Sequence, residues 1–530
     1  MDGNESNRIV KGALLLVLAG IISKILSAGY RIPLQNLTGD IGFYIYQQVY
    51  PILGIALMLS LYGFPSAISK MTVELRGAGR NLSLSSFYVP VFLLLTVLNG
   101  AVFLFLFLNA EPIARWVGDE QLTNTYQLAA FVFLLVPFSA LLRGVYQGIY
   151  EMKPTAYSQI VEQFVRVCMI ILAAVYVAFG NEPLYEVGRA AAIASFCGAG
   201  AAIFILAFFF LKSRPISNEH YEIPWSYYIR TLLILGIVAA LNHMILLVIQ
   251  FADAFTLIPG LGEYGLSQIE AMEAKGVFDR GQPLIQLGTV LGSSFALALL
   301  PSISKQKLQN DPTTFYRYIR GTMLISFYVA AGAAIGLITI FPEVNQLLFQ
   351  DEKGTLELQI LVLAIFLCPV AITAASILQG LGYIKRTAGF ILIAFFVKWI
   401  GNQLIVPLWG IGGSAIATVV SLLIFFILVM YELKRKLPKL QFIERIRFRA
   451  LIQGSVMMVG YLILMNWLFS DVATVSRLTL LIYVVFIAIT GGIIFIVNLL
   501  RCRAFTEEEL RMLPKSELFV RIYKGRNYHE

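Results

Sequence analysis

The chain has 530 residues, 58% of them apolar and only 13% charged, and its 40 Lys and Arg outnumber 31 Asp and Glu for a formal net charge of +9. Charged residues are thus about half the ~25% usual in soluble domains, too few to coat a water-exposed surface of this length. An ordinary cytosolic enzyme, a disordered chain and a collagen-like chain are excluded, and a lipid-embedded protein remains.

A membrane span needs about 20 predominantly apolar residues to cross ~30 Å of hydrocarbon. Fourteen such runs follow one another, near residues 10–30, 43–68, 88–109, 125–148, 157–180, 188–211, 231–256, 280–303, 319–341, 357–381, 388–407, 410–432, 450–469 and 478–500. The predicted fold is an all-α polytopic membrane protein with about 14 transmembrane helices. The first run follows a short polar N-terminus and is too long for the apolar core of a cleaved signal peptide, so it reads as a retained span.

Basic residues orient these spans. With the N-terminus and every loop after an even-numbered span on one side, that side holds 29 Lys and Arg and the other holds 7, while Lys24, Arg143, Arg166 and Lys398 fall within spans. Such an excess marks the cytoplasmic side. Both termini are therefore expected in the cytoplasm, with the basic loops against anionic lipid and no nucleic acid partner. The densest run (Lys434, Arg435, Lys436, Lys439, Arg445, Arg447, Arg449) makes a basic linker at 434–449. In the tail at 501–530, Thr506-Glu507-Glu508-Glu509 reads as a capping box opening a short amphipathic helix that Pro514 limits, expected on the inner membrane surface.

The fourth and fifth runs recur in the tenth and eleventh at a constant shift of 232 residues. Pro137 meets Pro369, Gln147-Gly148 meet Gln379-Gly380, Lys153 meets Lys385, Thr155-Ala156 meet Thr387-Ala388, Phe164-Val165 meet Phe396-Val397, and Arg166 meets Lys398. A second echo joins Ile68-Ser69-Lys70 to Ile303-Ser304-Lys305. The copies are six spans apart, an even number, so they enter the membrane the same way round as parallel repeats. The predicted organisation is an N-lobe at 1–216 (spans 1–6), a C-lobe at 217–433 (spans 7–12), the linker, spans 13 and 14 at 450–500, and the tail. Two facing six-helix lobes are expected to enclose a cavity and to rock in alternating access, which argues for a transporter.

A charge within the bilayer must face a partner, the protein interior or water. Lys24 lies deep in span 1, and Arg31, seven residues on, is expected on the same face; Arg31 reads either as a cavity cation or as a snorkelling interface residue. Asp279-Arg280-Gly281-Gln282-Pro283 opens span 8 with a break or kink, tolerated where it lines a cavity. Arg280 is either a cavity cation oriented by Asp279 or an outer helix start. Glu162 and Arg166 are spaced for an intrahelical ion pair. Lys398 has no carboxylate at 394, and Asp253 in span 7 is its expected partner. Asn242, Gln250, Asn402 and Gln403 supply hydrogen bonds or interhelical glue. Cys168, Cys197, Cys368 and Cys502 form no CxxC, and His220, His243 and His529 are dispersed, so neither a disulfide framework nor a metal centre is expected. There is no Walker loop, HExxH helix or GxSxG elbow, so no enzyme and no cofactor are expected. Intramembrane cations outnumber deep carboxylates, which favours an anionic substrate over drug cations.

The segments Ser23-Lys24-Ile25-Leu26, Tyr30-Arg31-Ile32-Pro33, Gly39-Asp40-Ile41-Gly42-Phe43-Tyr44-Ile45-Tyr46-Gln47-Gln48-Val49-Tyr50-Pro51 and Gly63-Phe64-Pro65-Ser66-Ala67-Ile68-Ser69-Lys70 carry a family likeness. So do Asp279 through Ser304, Gln379-Gly380 and Gly410-Ile411-Gly412-Gly413-Ser414-Ala415-Ile416-Ala417-Thr418. The chain resembles the polysaccharide-transporter branch of the MOP flippase superfamily, in its SpoVB/YabM-like, MurJ-related group. The resemblance implies fourteen helices, two six-helix lobes and a cationic central cavity in a bacterial plasma membrane. It implies flipping of an undecaprenyl-pyrophosphate-linked saccharide, such as lipid II, from the inner to the outer leaflet. Cell-envelope synthases are partners to expect, and a monomer. By matching position, Arg280 and Asp279 correspond to a functional acidic–basic pair, Lys24 to a functional first-helix arginine, and Arg31 lies one residue from a second. A second-helix arginine of the MurJ branch has no equivalent in Pro51–Tyr62. Some relatives bind sodium between helices seven, eleven and twelve; here Lys398 stands in that region near Asp253, Asn402 and Thr418, and no sodium requirement is expected. The other readings are a cation-coupled antiporter of the same superfamily, a non-transporting scaffold for cell-wall or spore assembly, and a lipid-modifying membrane enzyme.

Overall fold

The computed structural model describes residues 3–180, 182–217, 219–299, 305–469, 476–510, 517 and 523. Among these the regular structure is helical, apart from one isolated parallel bridge between Ser83 and Ser217. Hydrocarbon offers no partner to a backbone N–H or C=O, so a lipid-exposed chain must close its hydrogen bonds within each segment, as a helix does. In chain order the helices are α1 (Gly3–Gly29), α2 (Arg31–Met58), α3 (Phe64–Gly77), α4 (Val89–Leu108), α5 (Ala110–Val117), α6 (Thr123–Ala130), α7 (Val136–Gly148) and α8 (Met152–Gly180). They continue with α9 (Glu186–Ser213), α10 (Trp225–Arg230), α11 (Ile237–Asn242), α12 (Ile245–Tyr264), α13 (Gln268–Asp279), α14 (Gly281–Leu299), α15 (Lys305–Asn310) and α16 (Pro312–Thr339). The last are α17 (Phe341–Phe349), α18 (Thr355–Val362), α19 (Ala364–Gly380), α20 (Ile384–Lys436), α21 (Phe442–Arg445), α22 (Phe448–Leu468), α23 (Arg477–Arg501) and α24 (Glu507–Leu510).

Among the described residues, 12 helical stretches are long and apolar enough to cross a membrane. This number differs from the fourteen runs in the sequence for physical reasons. Each of two pairs of runs is joined by a kink of one or two residues, at Gly39 and at Trp409-Gly410, with no separate loop, so Leu14–Gly77 and Ile384–Lys436 each hold two runs. The seventh run divides into Trp225–Asn242 and Ile245–Tyr264 at His243-Met244, and the eighth reaches beyond Leu299 into residues outside the described set. Apolar side chains stand in the open along these helices, among them Phe179 (81% exposed), Phe204 (74%) and Trp467 (75%). Water would penalise that exposure; lipid does not.

The chain forms two compact units, Met1–Pro283 with Ile384–Ala417, and Leu284–Tyr383 with Thr418–Glu530. These are units of packing; the boundary at 216/217 drawn from the repeat is a division of sequence. The first unit therefore contains α1–α13 and the opening half of α20. One end of it is tied by Asn81 Nδ2 to Glu219 at 2.8 Å and Tyr88 Oη to the Pro215 carbonyl at 2.7 Å. Elsewhere in the same unit the Asp119 carboxylate accepts from Tyr44 at 3.1 Å and Tyr185 at 2.9 Å. In the second unit α16 packs on α19 and α22, and α22 on α23. The capping box at Thr506 forms, with Glu509 N donating to Thr506 Oγ1 at 3.3 Å and Thr506 N to the Glu509 carboxylate at 2.8 Å. Ile303, Ser304, Pro514 and His529 lie outside the described residues.

The repeat is written into the backbone. α7 ends at Gly148, Tyr150 takes a left-handed φ of 63°, and α8 starts at Met152; α19 ends at Gly380, Gly382 has φ 88°, and α20 starts at Ile384. Glu151 N donates to the Tyr146 carbonyl at 2.9 Å and Tyr383 N to the Leu378 carbonyl at 2.9 Å, again the same bond in each copy. A shift that conserves the turn's hydrogen bonds, including its one left-handed residue, is more than a coincidence of apolar composition.

Two interruptions break the double-length stretches. Trp409 and Gly410 interrupt α20, with Gly410 at φ 55°, ψ −139°. Within α2, Gly39 has φ 68°, ψ −174°, a combination open essentially to glycine alone. It ends one helical piece and aims the next residue, Asp40, into the protein. Gly39→Ala is expected to lower stability by about 1–3 kcal/mol, read as a fall in the thermal unfolding midpoint of the detergent-purified protein.

Candidate functional site

Arg31 opens α2 immediately after Tyr30. It is completely buried. Its guanidinium carbon sits 4.0 Å above the centre of the Tyr50 ring. Tyr30 and Tyr46 join hydroxyl to hydroxyl and meet edge-on, and Tyr46 packs on Tyr50 with ring centres 5.9 Å apart. Three tyrosines at 30, 46 and 50 thus wall the cation, the last two one helical turn apart on α2. None of the Arg31 side-chain nitrogens makes a well-aligned hydrogen bond to the described residues, and the Tyr30 hydroxyl stands within reach of the guanidinium. A ring face returns only about 0.5–2 kcal/mol of what a guanidinium loses on leaving water, so this is a buried cation held without a counter-charge.

Around it the other buried cations are matched. The carboxylate aimed by Gly39, Asp40, accepts from Arg280 Nε at 2.8 Å and Nη2 at 2.6 Å, a bidentate grip, and from Gln35 Nε2 at 3.0 Å. α13 is started by a capping box between Ser267 and Glu270 and carries Lys275 and Asp279 one turn apart, their Nζ and Oδ2 at 2.7 Å. Gly276 lies against the Asp40 backbone carbonyl, where any Cβ would overlap that oxygen; glycine is what lets α13 approach α2. The third pair is Lys398 with Asp253 at 2.7 Å. Lys398 Nζ also donates to the Ser414 carbonyl and hydroxyl, both at 2.8 Å, and Asn402 Nδ2 donates to Asp253 at 2.9 Å and to Thr256 Oγ1 at 2.8 Å. Phe278 of α13 lies 5.4 Å from the Lys398 ammonium.

These groups act on one another. Arg31 and Asp253 both lie within electrostatic reach of Asp279, and Asp279 and Lys275 within reach of Lys398. Arg280–Asp40, Lys275–Asp279 and Lys398–Asp253 leave Arg31 as the surplus cation of the cluster. A second surplus stands beside it. Glu162 gives one carboxylate oxygen to Arg143 at 2.7 Å and the other to Arg166 at 3.0 Å, one anion for two buried cations. Ser158 and Ser60 complete the Arg143 shell, with Nε and Nη1 each 3.1 Å from a hydroxyl. Arg31 and Arg166 both reach Tyr30, which links the two groups. Removing water from a cation without supplying a counter-ion costs several kcal/mol, so such an interior is suited to receive an anion.

The sequence expectations meet this geometry unevenly. Arg31, Arg280 and Asp279 come together, and Asp253 stands opposite Lys398. The Glu162–Arg166 pair forms, with Arg143 added. One detail is corrected. The carboxylate that grips Arg280 is Asp40, while Asp279 receives Lys275, itself 1% exposed. Between Lys24 and Arg31 the backbone of Tyr30 stays in the right-handed helical region, at φ −71°, ψ −18°. Lys24 is half-buried and lies within electrostatic reach of His243 at the α11–α12 break. Sequence reading missed Asp40, Gln35, Tyr50 and Lys275 as members of the site. The i, i+4 spacing of Lys275 and Asp279 was a usable signal; for Asp40 with Arg280, 240 residues apart, there was none. No group of three His, Cys, Asp or Glu suited to a metal occurs among the described residues, and none of the four cysteines is in a disulfide among them.

Residues 9–307 match the polysaccharide biosynthesis protein family. The membrane protein YabM of Bacillus subtilis (strain 168) is 38% identical over 522 residues, covering 97% of this chain and 96% of its own length. The lipid II flippase MurJ of the same organism is 24% identical over 459 residues, covering 80% and 83%. Among solved structures, the lipid II flippase MurJ in an inward closed conformation covers 92% of this chain and 99% of its own, with TM-score 0.66 and 14% identity. An inward-facing multidrug resistance MATE transporter of the MOP superfamily covers 79% and 95%, with TM-score 0.58 and 15% identity. At these identities the structural likenesses speak to fold alone. MurJ is named a lipid II flippase and the MATE protein a multidrug resistance transporter; neither is named an enzyme.

The buried pairs make a stability prediction. Asp253→Asn strands the Lys398 ammonium and is expected to cost about 3–5 kcal/mol. Adding Lys398→Met, which removes the stranded charge, is expected to return most of that loss in thermal unfolding.

Proposed function

We propose that this chain, which belongs to the polysaccharide biosynthesis protein family and is a transporter or flippase of MOP-superfamily fold, moves a lipid-linked, pyrophosphate-bearing saccharide from the inner to the outer leaflet of a bacterial plasma membrane. The observation that carries the reading is Arg31: a fully buried guanidinium whose nitrogens make no well-aligned hydrogen bond to the described residues, beside three closed ion pairs. A pyrophosphate leaving water needs donors and positive charge to offset its desolvation. A guanidinium parked on a ring face supplies both at little cost, since cation–π contact is weaker than a charge-assisted hydrogen bond. Arg280, fixed by Asp40, adds fixed positive potential, and Lys24 extends it along α1. The undecaprenyl tail stays in hydrocarbon while the head group moves by alternating access. No bond is made or broken. An inside-negative potential favours outward movement of an anion by about 2.3 kcal/mol per charge per 100 mV. The similarity to the lipid II flippase MurJ supports a peptidoglycan-precursor or related envelope saccharide as cargo.

The antiporter reading needs a carboxylate able to exchange cations in the first six spans. Glu162 is the deep one, and both its oxygens are engaged by arginines, which counts against it. The Lys398 ammonium draws on a carboxylate, a carbonyl and a hydroxyl, the oxygen types a sodium ion requires.

Flipping of a fluorescent undecaprenyl-pyrophosphate saccharide in proteoliposomes tests the reading. Arg31→Gln is expected to slow it about 10–150-fold, the loss of one to two charge-assisted hydrogen bonds. Arg31→Glu and Arg280→Glu, made singly, are each expected to abolish it; normal flipping by both variants overturns the site. Replacing sodium by choline on both sides is expected to leave the wild-type rate unchanged, and a strong sodium stimulation contradicts the role given to Lys398.

A further inference from the structure

We infer that the basic linker at 434–449 in the second unit is a binding site for the phosphate headgroups of anionic glycerophospholipids in the surrounding bilayer. The segment is a folded platform. Leu437, Leu440, Phe442 and Ile446 are buried beneath it, and Phe442 meets Phe327 of α16 edge-on at 6.0 Å. Arg320 of α16 donates from Nε to the Leu440 carbonyl at 3.1 Å and from Nη2 to the Lys439 carbonyl at 3.4 Å, while Arg447 N donates to Tyr328 Oη at 3.0 Å. With its backbone held from below, the platform turns Lys434, Arg435, Lys439, Arg445, Arg447 and Arg449 outward, all exposed. Glu444 is the one acidic residue within 434–449. Arg435 lies 3.9 Å from the buried Glu432 just before the segment, and the remaining five exposed cations repel one another unless an anion covers them.

The neighbours of this patch identify the anion's source. Ile427 (53% exposed) and Tyr431 (67%) lie one turn apart on α20, directly before the first cations. Phe448 (53%), Ile452 (61%) and Val456 (64%) continue along one face of α22, directly after the last. Each apolar stripe faces lipid and ends in arginine or lysine, so the cations sit at headgroup depth. A soluble phosphate compound would have no use for that apolar border; a phospholipid occupies both parts at once. The inference uses no feature of the buried cation cluster and stands whatever the cargo.

The test is lipid selection by the purified full chain in nanodiscs of phosphatidylcholine doped with phosphatidylglycerol, with bound lipid counted by native mass spectrometry. Wild type is expected to retain phosphatidylglycerol over phosphatidylcholine at low salt and to lose the preference in molar salt. Arg445→Gln/Arg447→Gln/Arg449→Gln, three exposed positions, is expected to lower the preference at least tenfold, at about fivefold per charge. A control removing the same charge from the first unit, Arg76→Gln/Lys153→Gln/Lys212→Gln, is expected to change it less than twofold. Equal preference in wild type and linker variant overturns the site, and so does an equal fall in linker variant and control, which marks a general charge effect. A linker variant unfolded in thermal scans is replaced by Arg449→Gln alone, expected to fall about fivefold; no fall overturns the site as well.

Discussion

A guanidinium taken out of water and given no anion is the constraint around which the first unit is arranged. Burial of Arg31 is tolerable because three tyrosines wall it and one offers a ring face 4.0 Å away, and because Arg280, Lys275 and Lys398 in the same cluster each have a carboxylate. Four buried cations face three carboxylates in this cluster, so one positive charge is left over however the pairs are drawn. Lys275 holds Asp279, and Arg280 holds Asp40 with two parallel bonds. The protein keeps its carboxylates occupied so that one cation stays available.

That arrangement depends on backbone geometry more than on side-chain chemistry. Asp40 points inward because the residue before it turns in a conformation closed to side chains, and α13 reaches Asp40 because position 276 has no Cβ to intervene. Fixed pairs set a rigid positive potential, and the stacked arginine is the member that can exchange its partner without breaking a salt bridge.

The fold is shared by a lipid II flippase and by multidrug transporters, so architecture does not choose between anionic and cationic cargo. Charge does. Arg143 and Arg166 share a single carboxylate, and Arg31 has none; an interior with excess positive charge disfavours organic cations by several kcal/mol in low dielectric. Lys398 follows the same logic, since a tethered ammonium answers Asp253 permanently where a mobile ion would do so only when bound.

The sequence by itself determined the membrane class, the apolar runs, the duplication and the local pairs. Hydropathy is a property of composition, the repeat at 232 is a property of order, and Glu162 with Arg166 are four residues apart on one helix. Even the partner of Lys398 was legible, because Asp253 was the remaining deep carboxylate. Tertiary structure decided what depends on the approach of distant segments: that Asp40 meets Arg280 across 240 residues, that Asp279 turns to Lys275, and that Arg31 is left stacked on Tyr50. Ion pairing within a helix follows from its 3.6-residue period. Pairing between helices depends on where Gly39 bends the chain and how closely Gly276 lets α13 approach, and a one-dimensional pattern of charges carries neither distance.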